Sequence, residues 1–207
     1  MNPLIMKFGG TSVGNATAIR QTAEIVRAGL ADWPQLCVVI SAMRGVTDLL
    51  LSTARAAADG DSTAGPTALA KLTDQHFSAL AELSPTNEGR EQAQALLAEF
   101  ESLVHAIGVL GEASPRALDA VGSLGERLNA HVVAAAFNAL GIPSRAVDAA
   151  EVVVTDDTFT SASPDMAATR KKAGAVIAPI LAEGIVPIVT GFVGATPQGH
   201  ITTLGRG

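Results

Sequence analysis

The residues best suited to chemistry lie in four short strings. The first, Lys7-Phe8-Gly9-Gly10-Thr11-Ser12-Val13-Gly14, overlaps the end of the apolar run Leu4–Phe8. A glycine pair lets the backbone come close to a ligand. Consecutive N–H groups at a helix N-terminus attract anions, and a lysine at the strand end adds positive charge. Together these suit a phosphate. The same residues also describe an ordinary strand-to-helix turn with a lysine in solvent, and position and composition do not separate the two. The string is not a P-loop, because the lysine precedes the glycines, and it is not G-x-G-x-x-G.

The second string, Ser41-Ala42-Met43-Arg44-Gly45-Val46-Thr47-Asp48, follows the apolar run Leu36–Ile40. Ligands of open parallel sheets sit beyond the carboxyl ends of the strands, so this loop belongs beside the first. Its hydroxyls, Ser41 and Thr47, can bond phosphate or carboxylate oxygens. Taken singly, a helix cap at Thr47 and a turn at Gly45 account for the same residues. The third string, Ser123-Leu124-Gly125-Glu126, is also a capping-box pattern. Glu126 lies off the apolar stripe of its helix, so the residues alone predict an exposed carboxylate. The fourth runs through Thr190-Gly191-Phe192-Val193-Gly194 to Gly199-His200-Ile201-Thr202-Thr203-Leu204-Gly205-Arg206-Gly207. Its glycines again permit close backbone approach, and Arg206 can hold a carboxylate through two parallel hydrogen bonds. A β-hairpin with a surface arginine is the plainer account.

Other chemistries find little support. His76, His105, His131 and His200 show no metal-ligand spacing, and no G-x-S-x-G elbow occurs. The single cysteine, Cys37, cannot form an internal disulfide and lies inside Leu36-Cys37-Val38-Val39-Ile40, as a core thiol does.

These strings need elements to position them. Leu4–Phe8 and Leu36–Ile40 read as buried strands. Ile19, Ala23, Val26 and Leu30 recur at helical spacing, and a helix begins after Thr47. The order β-α-β-α predicts a parallel sheet covered by helices. Asp59 to Thr67 reads as a loop. Two helical patterns follow, one through Leu69, Leu72, His76, Leu80 and Leu83, the other through Leu96, Phe100, Leu103, Ile107 and Leu110, with a turn at 84–89. The stretch 61–114 therefore reads as an inserted α-hairpin. Ser114 and Pro115 start a helix that ends near Gly141. Short strands are expected at 144–148 and 152–155, and a polar loop at 156–163. Ser163-Pro164-Asp165 starts a helix to about Ala182, with its last turns kinked at Pro179. Ile185–Val189 is another buried strand. Gly199–Thr203 forms a short strand paired near Val193.

Composition narrows the function. The chain has 207 residues, 48% hydrophobic and 16% charged, so it folds rather than staying disordered. Lys+Arg of 14 against Asp+Glu of 20 gives a net charge of −6, and aromatics are 3%. An acidic chain with few stacking rings is a poor nucleic-acid binder. The basic cluster Arg170-Lys171-Lys172 reads as a solvated helix face. No apolar run approaches the ~20 residues of a membrane span, and the N-terminus shows no signal-peptide pattern. These features predict a soluble, cytoplasmic protein with no membrane partner. The chain ends in a glycine-rich loop with no helix to cover the last strands, which reads as a fragment.

In this order, the four strings resemble those of the aspartate kinases of the amino-acid kinase family. Lys7-Phe8-Gly9-Gly10-Thr11-Ser12-Val13 matches the opening signature. Ser41-Ala42-Met43 with Gly45-Val46-Thr47, then Gly125-Glu126, then Thr202-Thr203-Leu204-Gly205-Arg206-Gly207 match later ones, so the resemblance spans the chain. In the family the last string continues into Gly-Ser-Asp. The resemblance implies a three-layer α/β/α sandwich with a mainly parallel sheet, truncated, with the helical hairpin at about 61–114 inserted. Residues 1–207 would be its N-terminal, substrate-binding part, before a nucleotide-binding half and regulatory ACT domains.

The implied reaction transfers the γ-phosphoryl group of ATP, bound with Mg2+, to the side-chain carboxylate of L-aspartate. The product, 4-phospho-L-aspartate, feeds lysine, threonine and methionine synthesis. The resemblance gives Lys7 the charge on the transferred group. Gly9, Gly10, Thr11 and Ser12 would cradle its oxygens, and Ser41 and Thr47 would line the aspartate pocket. Glu126 would hold the substrate ammonium and Arg206 its α-carboxylate. No protein metal ligand is implied. A homo-oligomer is expected in the full-length form, and the 207 residues alone are expected to be inactive. Two other readings compete: a glutamate, N-acetylglutamate or nucleotide kinase of the same family, which the Thr202–Gly207 string disfavours, and a non-catalytic phosphate- or amino-acid-binding module.

Overall fold

Alternation decides how the first strand is used. In the computed structural model, which describes residues 3–84 and 86–205, β1 (Leu4–Phe8) turns Leu4, Met6 and Phe8 onto the main core and leaves Ile5 and Lys7 exposed on its other face. It pairs in parallel with β2 (Leu36–Ile40), from Leu4 opposite Leu36 to Phe8 opposite Ile40. β3 (Ser144–Val147) and β4 (Val186–Thr190) complete a parallel sheet in the order β1-β2-β4-β3.

Runs such as Leu36-Cys37-Val38-Val39-Ile40 lack polar alternation because both faces of a parallel sheet are covered. Leu36, Val38, Ile40, Val186 and Ile188 join the larger core, with α1 (Ala16–Asp32), α2 (Val46–Ala58) and α5 (Pro115–Ala139). Cys37, Val39, Val147 and Val189 point the other way, onto Val176, Ile177 and Ile180 of α6 (Met166–Ala182). Helices on both sides of the sheet make the three layers that the resemblance implied. Burial pushes the Cys37 thiol up to about 11, which suits an inert core residue.

Between α2 and α5 the described residues contain two helices, α3 (Ala64–Leu83) and α4 (Arg90–Leu110). They form a hairpin packed on α2 and α5. Arg20 of α1 fastens it with a hydrogen bond to the Glu82 carbonyl at 2.7 Å. By length and composition α4 is apolar enough to cross a membrane. Its Ala93, Leu96, Phe100, Val104 and Ile107 are nevertheless buried in the larger core. A long core helix broken by scattered carboxylates contains no uninterrupted apolar run, so the sequence reading missed this likeness.

Several boundaries differ from expectation for local reasons. α2 starts at Gly45 in the left-handed region (φ 81°), not at a Thr47 cap, which leaves Thr47 inside the first turn. α3 begins inside the expected loop because the Asp61 carboxylate accepts the N–H groups of Thr63 and Ala64. Segment 152–155 is no strand: a short 3-10 turn at Ala149–Glu151 leads into two isolated bridges, Val154 with Ala195 and Thr155 with Pro164. α6 is capped by Asp165, whose side chain accepts from Ala167 and Ala168, rather than by Ser163. It continues through Pro179 to Ala182. The cap expected at Ser114, with Pro115 in the first turn, is present. So is the antiparallel pair β5 (Val193–Ala195) and β6 (Ile201–Thr203).

Candidate functional site

Parallel strands bring their carboxyl ends to one edge, and three loops meet there. Lys7 is the penultimate residue of β1, opposite Val39 of β2. After β1 the chain turns at once: the Ser12 N–H donates to the Gly9 carbonyl at 2.9 Å, and the Thr22 hydroxyl of α1 donates to the Ser12 carbonyl at 2.7 Å. This turn leans on the loop after β2. A methyl group on Gly10 would lie 2.7 Å from the Ala42 carbonyl oxygen, so only glycine fits without a shift. The end of β4 makes the third contact. The Gly191 N–H donates to the Ile40 carbonyl at 2.7 Å, and a methyl on Gly191 would stand 2.8 Å from the same oxygen.

α5 runs behind these loops with polar residues on a buried face. Gly125 lets it close in, since a methyl there would be 2.8 Å from the Cβ of Ala42. The next residue, Glu126, is only 2% exposed. The expectation of an exposed carboxylate is therefore corrected: α5 is buried on several sides, so leaving the apolar stripe does not mean reaching solvent. Arg127, one position on, faces elsewhere and bridges Glu99 of α4 (2.8 Å) and Asp148 after β3 (2.9 Å).

Lys7, Ser41, Thr47 and Glu126 line one cleft of about 580 Å³. Gly191, Phe192, Leu204 and Gly205 close its other side. Thus residues from β1, the second loop, α2 and α5, proposed from separate strings, meet at one place. Gly9, Gly10, Thr11 and Ser12 do not line this cleft; they form the turn immediately after Lys7. Arg206 lies outside the described residues. Among the described residues the cleft combines one cation, one buried carboxylate and two hydroxyls, a set that can read an ammonium and an anion on one small molecule.

Sequence reasoning missed the residues that hold these walls. Phe192 adopts φ 66°, uncommon for a non-glycine residue, and its carbonyl accepts the Leu204 N–H at 2.8 Å. Asn129 is fully buried and donates to the Ser41 carbonyl at 2.8 Å. Asp119, 1% exposed, accepts from Thr160 and Thr203. Asp119, Ser123, Glu126 and Asn129 recur at helical spacing among the buried residues of α5, and that polar stripe is the signal that could have flagged them. Among the described residues, no group of three or more His, Cys, Asp or Glu could hold a metal ion.

Residues 2–207 match the model of the amino acid kinase family, and the chain belongs to that family. Within it the chain is similar to aspartokinases. It is 33% identical over 204 residues to lysine-sensitive aspartokinase 3 of Escherichia coli, an alignment covering 99% of this chain and 43% of that protein. It is 33% identical over 205 residues to the aspartokinase of Chlamydia muridarum, again covering 99% and 43%. The structure of E. coli aspartokinase III in complex with aspartate and ADP (R-state) superposes with a TM-score of 0.88 at 30% identity, covering 100% of this chain and 44% of that one. The chain thus spans less than half the length of the relatives it matches.

Proposed function

We propose that this chain forms the acceptor-binding part of an aspartate kinase, which transfers the γ-phosphoryl group of MgATP to the side-chain carboxylate of L-aspartate. The observation that carries the reading is the single cleft lined by Lys7, Ser41, Thr47 and Glu126 at the carboxyl edge of the sheet. An aspartate side chain is already ionised at neutral pH, so its oxygen attacks phosphorus without a general base. The bond from phosphorus to the β,γ-bridging oxygen breaks, and ADP leaves with that electron pair. The barrier is repulsion between an anionic nucleophile and an anionic phosphoryl group. Lys7 offsets it, and the Gly9–Ser12 turn offers N–H and hydroxyl donors to the phosphoryl oxygens. Glu126 binds the substrate ammonium, Ser41 and Thr47 line the pocket, and Arg206 takes the α-carboxylate.

In this reading magnesium arrives with the nucleotide phosphates. The aspartokinase relatives are more than twice as long. We assign adenine and ribose binding, and any ACT-type regulation, to sequence outside these residues, and treat 61–114 as an inserted hairpin. On this reading the 207 residues bind aspartate without turning it over alone, and the full enzyme is a cytoplasmic homo-oligomer. Titration calorimetry with L-aspartate and L-glutamate tests the acceptor: saturable heat with aspartate and none with glutamate is expected. No aspartate binding, or aspartate-dependent ADP release by the 207-residue chain alone, overturns the corresponding part of the reading.

A further inference from the structure

Asp119 sits in the second turn of α5, seven positions before Glu126 and on the same buried face. It does not line the aspartate cleft; with Thr160 and Thr203 it lines a neighbouring cavity of about 500 Å³. Both of its carboxylate oxygens are engaged. Oδ2 accepts the Thr160 N–H at 2.8 Å, and Oδ1 accepts the Thr203 hydroxyl.

The segments that carry these two partners are tied together through Ala162. The Ala162 N–H donates to the Thr203 carbonyl at 3.0 Å, and Ala162 bridges Leu204. Thr160 has φ 69°, a conformation disfavoured for a β-branched residue, so something must hold it. The hydrogen bond from its own N–H to Asp119 does so. Beyond Thr203 the chain runs directly into Leu204 and Gly205, which form the cleft wall.

We propose that Asp119 is a positioning residue for substrate binding: acting through Thr203 and Thr160, it fixes the Leu204–Gly205 wall at the right distance from Glu126. α5 then sets both sides of the cleft, one directly through Glu126 and the other through a buried carboxylate that never touches the ligand. The proposal rests on the aspartate-kinase reading for its ligand but not for its geometry.

The test compares Asp119→Ala, Asp119→Asn, Thr203→Val and the double variant Asp119→Ala/Thr203→Val. L-aspartate affinity is measured by calorimetry well below each melting temperature. Amide hydrogen exchange is followed over residues 202–205. Asp119→Ala and Thr203→Val each weaken aspartate binding about tenfold or more, and the double variant is little worse than either alone. Asp119→Asn recovers most of the affinity, because its amide can accept from the Thr160 N–H and donate to the Thr203 oxygen. Exchange speeds up locally at 202–205 in Asp119→Ala. Unchanged affinity with only a lower melting temperature, or unchanged exchange at 202–205, overturns the proposal. Thr203→Val keeps the test decisive if Asp119→Ala does not fold. A wild-type chain that ignores aspartate while Asp119→Ala still loosens 202–205 removes the aspartate reading and leaves the clamp.

Discussion

The side-chain amide of Asn129 donates to the carbonyl of Ser41 at 2.8 Å and to that of Val13 at 3.4 Å. One fully buried residue of α5, a turn beyond Glu126, therefore grips the glycine turn and the second loop together. Asn129→Ala strands the Ser41 carbonyl and costs about 1–3 kcal/mol, lowering the melting temperature by roughly 2–4 °C per kcal/mol. Thermal melts check the loss, and an unchanged melting temperature removes Asn129 from this role.

Glu126→Gln keeps the shape of the side chain and deletes its charge. On the proposed reading aspartate binding weakens by about 1.5–3 kcal/mol, the worth of a charge-assisted hydrogen bond, while nucleotide affinity in an enzyme-length polypeptide barely changes. Calorimetry with aspartate reads the difference, and a Gln variant of normal affinity places Glu126 outside the recognition of the ammonium.

On the proposed reading Lys7 meets charge that develops during transfer, so Lys7→Ala lowers kcat far more than it raises the KM for aspartate. The loss is about 3–4 kcal/mol of transition-state stabilisation. Steady-state kinetics on an enzyme-length polypeptide carrying this chain measures it. A kcat within a few-fold of wild type makes Lys7 a surface residue at a strand end.

The two glycines after β1 respond differently to a methyl group. At Gly10 it would press on the Ala42 carbonyl, whereas at Gly9 nothing lies within 4 Å. Gly10→Ala costs about 1–3 kcal/mol, and Gly9→Ala changes stability by less than about 0.5 kcal/mol. Urea melts of the two variants separate the cases; equal effects contradict the loop contact.

His76 is fully buried in α3, with its Nδ1–H donated to the Leu72 carbonyl at 2.7 Å. Burial lowers its pKa, against a smaller opposing effect of that hydrogen bond. His131 shifts the same way, from burial first and Arg127 second, with Asp148 opposing. The unfolded chain takes up these protons near the usual value of about 6.5, and the folded chain does so only at lower pH. Stability is full above that value and falls as pH drops through the window below it. Melting temperatures between pH 7.5 and 5 show the decline, and His76→Gln reduces its slope; a parallel slope in the variant assigns the decline to other groups.

Much of this architecture is local enough to read from sequence. β1 and β2 announce themselves as short apolar runs ended by turn residues, α5 by Ser114-Pro115, and the β5–β6 pairing by its glycines. The strings around Lys7, Ser41 and Thr47 are legible because residues at the carboxyl ends of parallel strands converge. Glu126 is less so. Its burial is decided by the second loop, far away in sequence, and its own helix predicts the opposite. Asp119 and Asn129 are harder still: their partners, Thr203 and Val13, lie 84 and 116 positions away, and each looks like an ordinary polar helix residue. The start of α2 at Gly45 escaped because a left-handed glycine carries no side-chain signal, whereas Thr47 does.

The strand order carries a consequence for synthesis. β4, the last of the four strands to leave the ribosome, fills the slot between β2 and β3. Until then the β1–β2 pair and β3 have no neighbour in common, and the facing edges of β2 and β3 stay open. Parallel pairing across such spans, as between Val38 and Ile188, closes slowly and leaves strand edges available to wrong partners. A nascent chain that has reached the end of α5 already carries Lys7, Ser41, Thr47 and Glu126 but has only one bank of the cleft. The opposite bank, Gly191 to Gly205, arrives only after β4, so the cleft is completed no earlier than the sheet itself.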